Sequence, residues 1–322
     1  MESPSAPAPR AVASKLPNLV CFALVCVASL SLSALAHSLT AEISGFEFAT
    51  ASRNLTEPWQ VGCLVGWKLI QLAWAWRSDY EIRELAGLTL LANAPYHYLL
   101  HAFWGIEKLP VAIHMAIDIG TVALPFAPFR TRRAQSSTVA KSPNQEVARD
   151  WQVDIVYTVF ASTVYGLALF LGYQANLSVF MVTHFDQIQT FEKAHAASVM
   201  NLTPLFLGNG LASMYFLFLP SMEAASVPKM KVPQMGKFKP ESATLRETIA
   251  YNFGFPESGW TPRASVLGRR SLVLLVSVFL NTIVRVFATV QGADIIGAMG
   301  YAGMWAFSNA AVAFTFGVMG QE

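Results

Sequence analysis

Eight stretches of this chain are long and apolar enough to be read as crossings of a hydrocarbon core about 30 Å thick, and no other feature limits the fold as much. They run from Leu16 to Ala36, Trp59 to Trp76, Leu85 to Gly105, Leu109 to Phe126, Val153 to Tyr173, Ala196 to Leu219, Ser271 to Val290, and Gly297 to Val318. Lipid offers the backbone no hydrogen-bond partner, so each crossing has to be a helix. The fold class expected is therefore all-α, a multi-pass transmembrane bundle of about eight spans. Composition agrees: 54% of the 322 residues are hydrophobic and 13% charged, against about 25% charged in water-soluble domains.

Charge orients the bundle. With both termini in the cytosol, cytosolic segments hold 17 of the 22 Lys and Arg. The opposite loops hold Arg53, Lys108 and Lys193, and this asymmetry is what sets membrane topology. The chain divides into an N-terminal tail, residues 1–15, rich in Pro, Ser and Ala and expected to be disordered, and one helical domain over residues 16–319. Cytosolic loops are expected over 127–152 and 220–270. Arg10, Lys15 and the small residues Ala34-Leu35-Ala36 also fit a cleaved signal, but the first run exceeds a usual signal core and reads better as an anchored helix.

Net charge of +2, with basic residues in loops, gives no footprint for nucleic acid. Cys21, Cys26 and Cys63 all lie within apolar runs, a pattern of packing rather than of disulfides or zinc. Sequons at Asn54 and Asn176 fall in loops placed outside the cytosol and are the glycosylation candidates; Asn201 lies within a span. Residues Asn176 to His195 mix aromatic and charged side chains as an interfacial flap does. Ala243 to Phe253 repeats Leu245, Ile249 and Phe253 at helical spacing, the pattern of a short surface helix.

The chemistry is concentrated between Asn93 and Asp118. Asn93, His97 and His101 recur every four residues and share one face of a helix; His114, Asp118 and Thr121 do the same on the next. At about 1.5 Å per residue from a turn near Glu107, His101 and His114 lie about 6 to 7 Å deep and His97 and Asp118 about 12 to 14 Å deep. Lys68 and Gln71 reach a similar depth on the preceding span, and Arg285 enters on the seventh. Ionisable groups at such depth cost a few kcal/mol each and are usually paired and functional. Asp118 is the best placed proton donor, with His97, His101 or His114 to orient it or take up the final proton. Lys68, Asn93, Tyr96, Trp104 and Arg285 are the candidate substrate-binding side chains, and aromatic faces such as Tyr96 and Trp104 suit a travelling positive charge. No phosphate-binding loop, serine elbow or Cys–His pair is present.

The plan of the chain, with the segments Asn93-Ala94-Pro95-Tyr96-His97-Tyr98 and His114-Met115-Ala116-Ile117-Asp118, resembles the fungal integral-membrane terpene cyclases of meroterpenoid pathways, of the ascofuranone and macrophorin type. That resemblance lies in overall plan and transfers no residue role. It implies a prenylated phenol or its terminal epoxide as the lipophilic substrate, acid-initiated ring closure, no metal or other cofactor, and residence in the endoplasmic reticulum membrane. Three other readings stand beside it. A transporter or receptor would use Lys68, His97, Asp118 and Arg285 for an anion or a proton. Haem or metal would sit between His97 or His101 and His114. A scaffold would merely pair these groups off.

Overall fold

Helix boundaries in this chain follow from local provision for the unpaired backbone groups at each end. A computed structural model describes residues 17–129, 151–175, 177–225, 244–245, 248 and 260–319. Helix α1 (Asn18–Ala51) starts after Pro17 and stops where Ser52 turns extended. Helices α2 (Pro58–Ser78) and α3 (Ile82–Phe103) each open on a capping box, Glu57 with Gln60 and Glu81 with Glu84. Helix α4 (Lys108–Ala123) follows a turn in which the Glu107 N–H donates to Glu47, and it runs into a tight turn at Leu124–Phe126.

Next come α5 (Trp151–Gln174), α6 (Leu177–His184), α7 (Glu192–His195), α8 (Val199–Leu205), α9 (Leu207–Ser213) and α10 (Leu219–Ala225), with one π-helical turn at Met214–Phe218 between the last two. Helix α11 (Pro262–Thr289) has Pro at its first position and a Thr261 cap that accepts from the Ala264 N–H. Helix α12 (Ile295–Met319) completes the described chain.

Among the described residues the protein is helical throughout, with only two isolated β-bridges. Five helices are long and apolar enough to cross a membrane: the first 25 residues of α1, α4 with its following turn, α5, α11 and α12; a sixth is added if the bent stretch from Val199 to Ala224 is one span. These helices make it a membrane protein. The sequence predicts eight spans; α2 and α3 have the length but stay outside the set, because Lys68, Gln71, Asn93, His97 and His101 lower their hydropathy.

Several boundaries also differ from expectation. Helix α1 continues fifteen residues past Ala36, because His37 and Phe48 on these later turns pack against His114 of α4. The stretch read as one span from Ala196 to Leu219 breaks after Pro204 and bends by 60° between Leu205 and Leu207. Residues 262–270, read as loop, form the first turns of α11. The tail at 1–15, most of the loop at 127–152, Asn176, and most of the stretch around Ala243 to Phe253 lie outside the described residues.

Helix α3 stands at the centre, packed by α4, α9 and α11, and from Leu85 to Phe103 nearly every side chain is buried. Outward-facing Leu19, Leu24, Val27, Leu171, Leu272 and Phe314 are exposed, as a lipid-facing surface requires. At one end, three segments distant in sequence are tied by backbone hydrogen bonds. Ser52 bridges to Val290, and Phe185 bridges to Ala293. Arg53 adds a side-chain bond of 2.8 Å to the Ala293 carbonyl. Gly292 turns the chain there with φ of 76°, and a Cβ on it would stand 3.0 Å from the Gln187 nitrogen. The N–H groups of Gln189 and Thr190 both donate to the Phe103 carbonyl at 3.1 Å. The expected interfacial flap is thus a strap pinned across the end of α3.

Candidate functional site

Helices α2, α3, α4 and α11 present the polar groups to one another because their apolar faces pack elsewhere. Asp118, on α4, is the anchor. Its Oδ2 accepts from His97 Nε2 at 2.9 Å and from Arg285 Nη1 in a close ion pair. Two N–H donors converge on one oxygen, so Oδ2 carries no proton in this arrangement and His97 holds its proton on Nε2. His97 Nδ1 is then the group left over: buried, with no hydrogen-bond partner among the described residues.

Amides lock the rest. Asn93 Oδ1 accepts from Arg285 Nη1 at 2.6 Å and from Asn281 Nδ2 at 2.9 Å, while its own Nδ2 donates to the Thr89 carbonyl at 2.8 Å. Asn281 Oδ1 accepts from Trp67 Nε1 at 2.9 Å and Gln71 Nε2 at 2.7 Å, and its Nδ2 also donates to the Ala92 carbonyl at 2.7 Å. Lys68 Nζ donates to Thr121 Oγ1 at 3.2 Å, and that hydroxyl donates back to the Asp118 carbonyl at 3.3 Å. Arg285 lies 4.1 Å above the Tyr96 ring, whose plane meets His97 edge-on. A buried ion pair is tolerated only when its remaining hydrogen-bonding capacity is met. Here Asn93 takes part of it for Arg285, whereas His97 Nδ1 has nothing.

Of the residues singled out in sequence, the structure therefore gathers Lys68, Asn93, Tyr96, His97, Asp118 and Arg285, with His114 beside them within electrostatic range of His97, Asp118 and Arg285. It sends His101 and Trp104 elsewhere. His101 donates from Nδ1 to the Ile106 carbonyl at 2.8 Å, and Lys193 Nζ donates to the His101 carbonyl at 2.8 Å. Burial, aided by neighbouring Lys108, holds that Lys193 ammonium below its usual 10.5. His114 stacks on Phe48, with ring centroids 3.7 Å apart, and leans on His37 at 5.0 Å. Trp104 is buried with its edge toward Phe185 in the strap. The helix turn explains the split: His101 lies at the last turn of α3, where the next segment folds over it. Asn54 is exposed in the α1–α2 loop. Among the described residues no group of three His, Cys, Asp or Glu side chains is placed to hold a metal.

Sequence reasoning passed over two contributors. Asn281 is the hub that joins α2 and α3 to α11, and its signal was its place one turn before Arg285. His37 sits one residue beyond the predicted end of the first run, within electrostatic range of Asp118, Arg285 and Lys68. The absence of Pro from Ala36 to Ala51 was the clue that the helix, and His37 with it, continues along α4.

No family model matches the chain, and comparison with curated proteins and with solved structures finds no match.

Proposed function

We propose that this protein is a membrane-embedded isomerase that closes rings in a prenylated phenol bearing a terminal epoxide, with His97 as its acid and base. One observation carries the reading: His97 is held by Asp118 through Nε2 and keeps Nδ1 buried and unpartnered beside the Tyr96 ring. A carboxylate that fixes one imidazole nitrogen and leaves the other for chemistry is the arrangement of an oriented general acid or base. The role given to Asp118 in the sequence reading passes to His97, because Asp118 already accepts from two donors.

The step balances without a co-reactant. Turnover starts from His97 with a second proton taken up on Nδ1; that Nδ1–H gives its proton to the epoxide oxygen, the C–O bond breaks, and an alkene electron pair forms the new C–C bond. The cation so produced loses a proton, which returns to Nδ1, and the product is an isomer of the substrate. Tyr96 offers a π face to the cation; Asp118 keeps Nε2–H in place throughout.

In this reading α2 and α3 join the other six as spans, both termini face the cytosol, and the protein resides in the endoplasmic reticulum membrane. The bias of Lys and Arg and the resemblance in overall plan support that topology and location. Microsomes containing the protein, given a farnesylated phenol with a terminal epoxide, are expected to form a product of unchanged mass and new retention time. His97→Gln should lower the rate by about 10²- to 10⁴-fold while inserting normally. Unchanged substrate across a panel of such epoxides, or full rate in His97→Gln, would end this assignment.

The 60° bend between Val199–Leu205 and Leu207–Ala224 favours a second reading, since broken helices serve ion and solute sites in transporters. Proteoliposomes decide between them: uptake of a small organic anion that Arg285→Gln abolishes, with no isomerisation, selects the transporter.

A further inference from the structure

The polar centre around Asp118 does not balance its charges. Among the described residues Asp118 is the one carboxylate that acts on His37, Lys68, His97, His114 or Arg285. Its single negative charge is taken by Arg285, whose Nη1 is paired with Oδ2. Lys68 is the second full cation. Its Nζ reaches the Thr121 hydroxyl at 3.2 Å and makes no ion pair among the described residues. That hydroxyl is neutral and takes one of the three ammonium N–H groups, so the charge and two donors are left over. His37, His97 and His114 add positive charge or none. The centre therefore carries a surplus of one positive charge.

Lys68 is badly placed to shed this charge at a membrane surface. It is the middle residue of α2, ten residues from Pro58 and ten from Ser78, which puts it about 15 Å from either end. Its bond to Thr121 turns it inward onto α4 instead of along the helix toward an interface. An ammonium held there without a counter-charge is costly. The centre is also open. The Asp118 and Arg285 side chains are 13% and 21% exposed, and Lys68, His37 and His114 are half-buried, so a molecule can reach them among α1, α2, α4 and α11.

We propose that this opening binds a lipophilic monoanion, an amphiphile whose singly charged oxygen group, such as a carboxylate, accepts from the two remaining N–H groups of Lys68. A surplus of one charge selects a monoanion over a phosphate dianion. The depth selects an anion carried on a hydrocarbon body, since the headgroups of the bilayer stay outside a hydrocarbon core about 30 Å thick. The two cations thus have separate tasks: Arg285 is neutralised by Asp118, and Lys68 is the partner of the anion. The inference takes from the reading above only that α2 is a span, and it holds whatever reaction His97 runs.

Equilibrium binding of radiolabelled dodecanesulfonate, which stays charged at every working pH, to the full chain in phosphatidylcholine nanodiscs tests it. Dodecanol is the uncharged probe, and matched empty nanodiscs give the background. The sulfonate should bind at least about tenfold more tightly than dodecanol. Lys68→Met, which keeps length and removes the charge, should abolish that preference, and Lys68→Arg should keep it. If Lys68→Met fails to fold, Lys68→Gln makes the same comparison. Equal affinity of the unaltered chain for the two probes, or a full preference in either folded variant, overturns the site. Replacing half of the phosphatidylcholine by phosphatidylglycerol, at equal membrane-bound probe, checks the source of the anion: undiminished sulfonate binding supports a free amphiphile, and displacement overturns it in favour of a lipid headgroup. Binding and turnover are read separately. Full turnover in His97→Gln removes the ring-closing mechanism and leaves the sulfonate result standing, whereas a missing preference for the sulfonate removes this site and leaves that mechanism standing.

Discussion

Asp118 and Arg285 set the energetics of the site at the scale of single residues. Asp118→Asn leaves the guanidinium buried without a counter-charge, and the expected loss is about 3–5 kcal/mol of stability, read as a lower melting temperature in detergent. Adding Arg285→Gln to it removes the orphan charge and should recover most of that loss, so the two substitutions are strongly non-additive. Additive effects would show that the pair does not bear on stability. Asp118, His97 and Arg285 were legible in the sequence as a buried polar set, because ionisable groups in apolar runs stand out against their background. What was illegible was direction. His97 and His101 are both four-residue neighbours on one helix, yet one faces a carboxylate and the other a backbone carbonyl; the difference arises from the turn at Gly105, with φ of 73°, which brings Ile106 back over His101.

Arg270 shows the same point for elements. Sequence placed it in a basic cytosolic loop, but it lies within α11. It pairs with Glu84 Oε1 at 2.7 Å, donates to the Phe216 carbonyl at 3.0 Å, and lies over the Tyr80 and Phe216 rings. Phe216 belongs to the π-helical turn, whose irregular carbonyls need such outside donors. Arg270→Ala should cost about 3 kcal/mol and Arg270→Lys distinctly less, since an ammonium keeps the charge and loses the fork. Where α9 crosses α5 the backbones touch: a Cβ on Gly210 would overlap Ser162 Oγ and the Thr158 carbonyl. Gly210→Ala is therefore expected to cost at least about 1–3 kcal/mol and to lower the yield of folded protein, measurable by size-exclusion chromatography. Helix existence was readable from the apolar runs. Helix ends were not, because the polar outer turns of α1 and the early turns of α11 are stabilised by neighbours that no local pattern reveals.

For the whole molecule, the strap across α3 is fastened at its edge by a group that titrates. Asp294 accepts from His184 Nδ1 at 2.9 Å and from the Gly297 N–H. The His184 hydrogen bond holds its carboxyl below the ordinary value of 3.8. A depressed folded value stabilises the native state above the unfolded value, and that contribution fades as pH falls through the folded value. Protection factors over residues 185–195, corrected for the pH dependence of intrinsic exchange, should therefore be unchanged down to about pH 4 and fall below it, and Asp294→Asn should remove the step. The sequence marked residues 176–195 as a flap but not how it is fastened, since backbone bonds leave no signature in side chains. The same fastening carries a consequence for biogenesis. Arg53 bonds to a carbonyl 240 residues further on, so the Ser52–Arg53 segment gains this fastening only once the last hairpin has left the ribosome and inserted. A nascent chain arrested before α11 should expose the segment around Ser52 to protease, and the full chain should protect it.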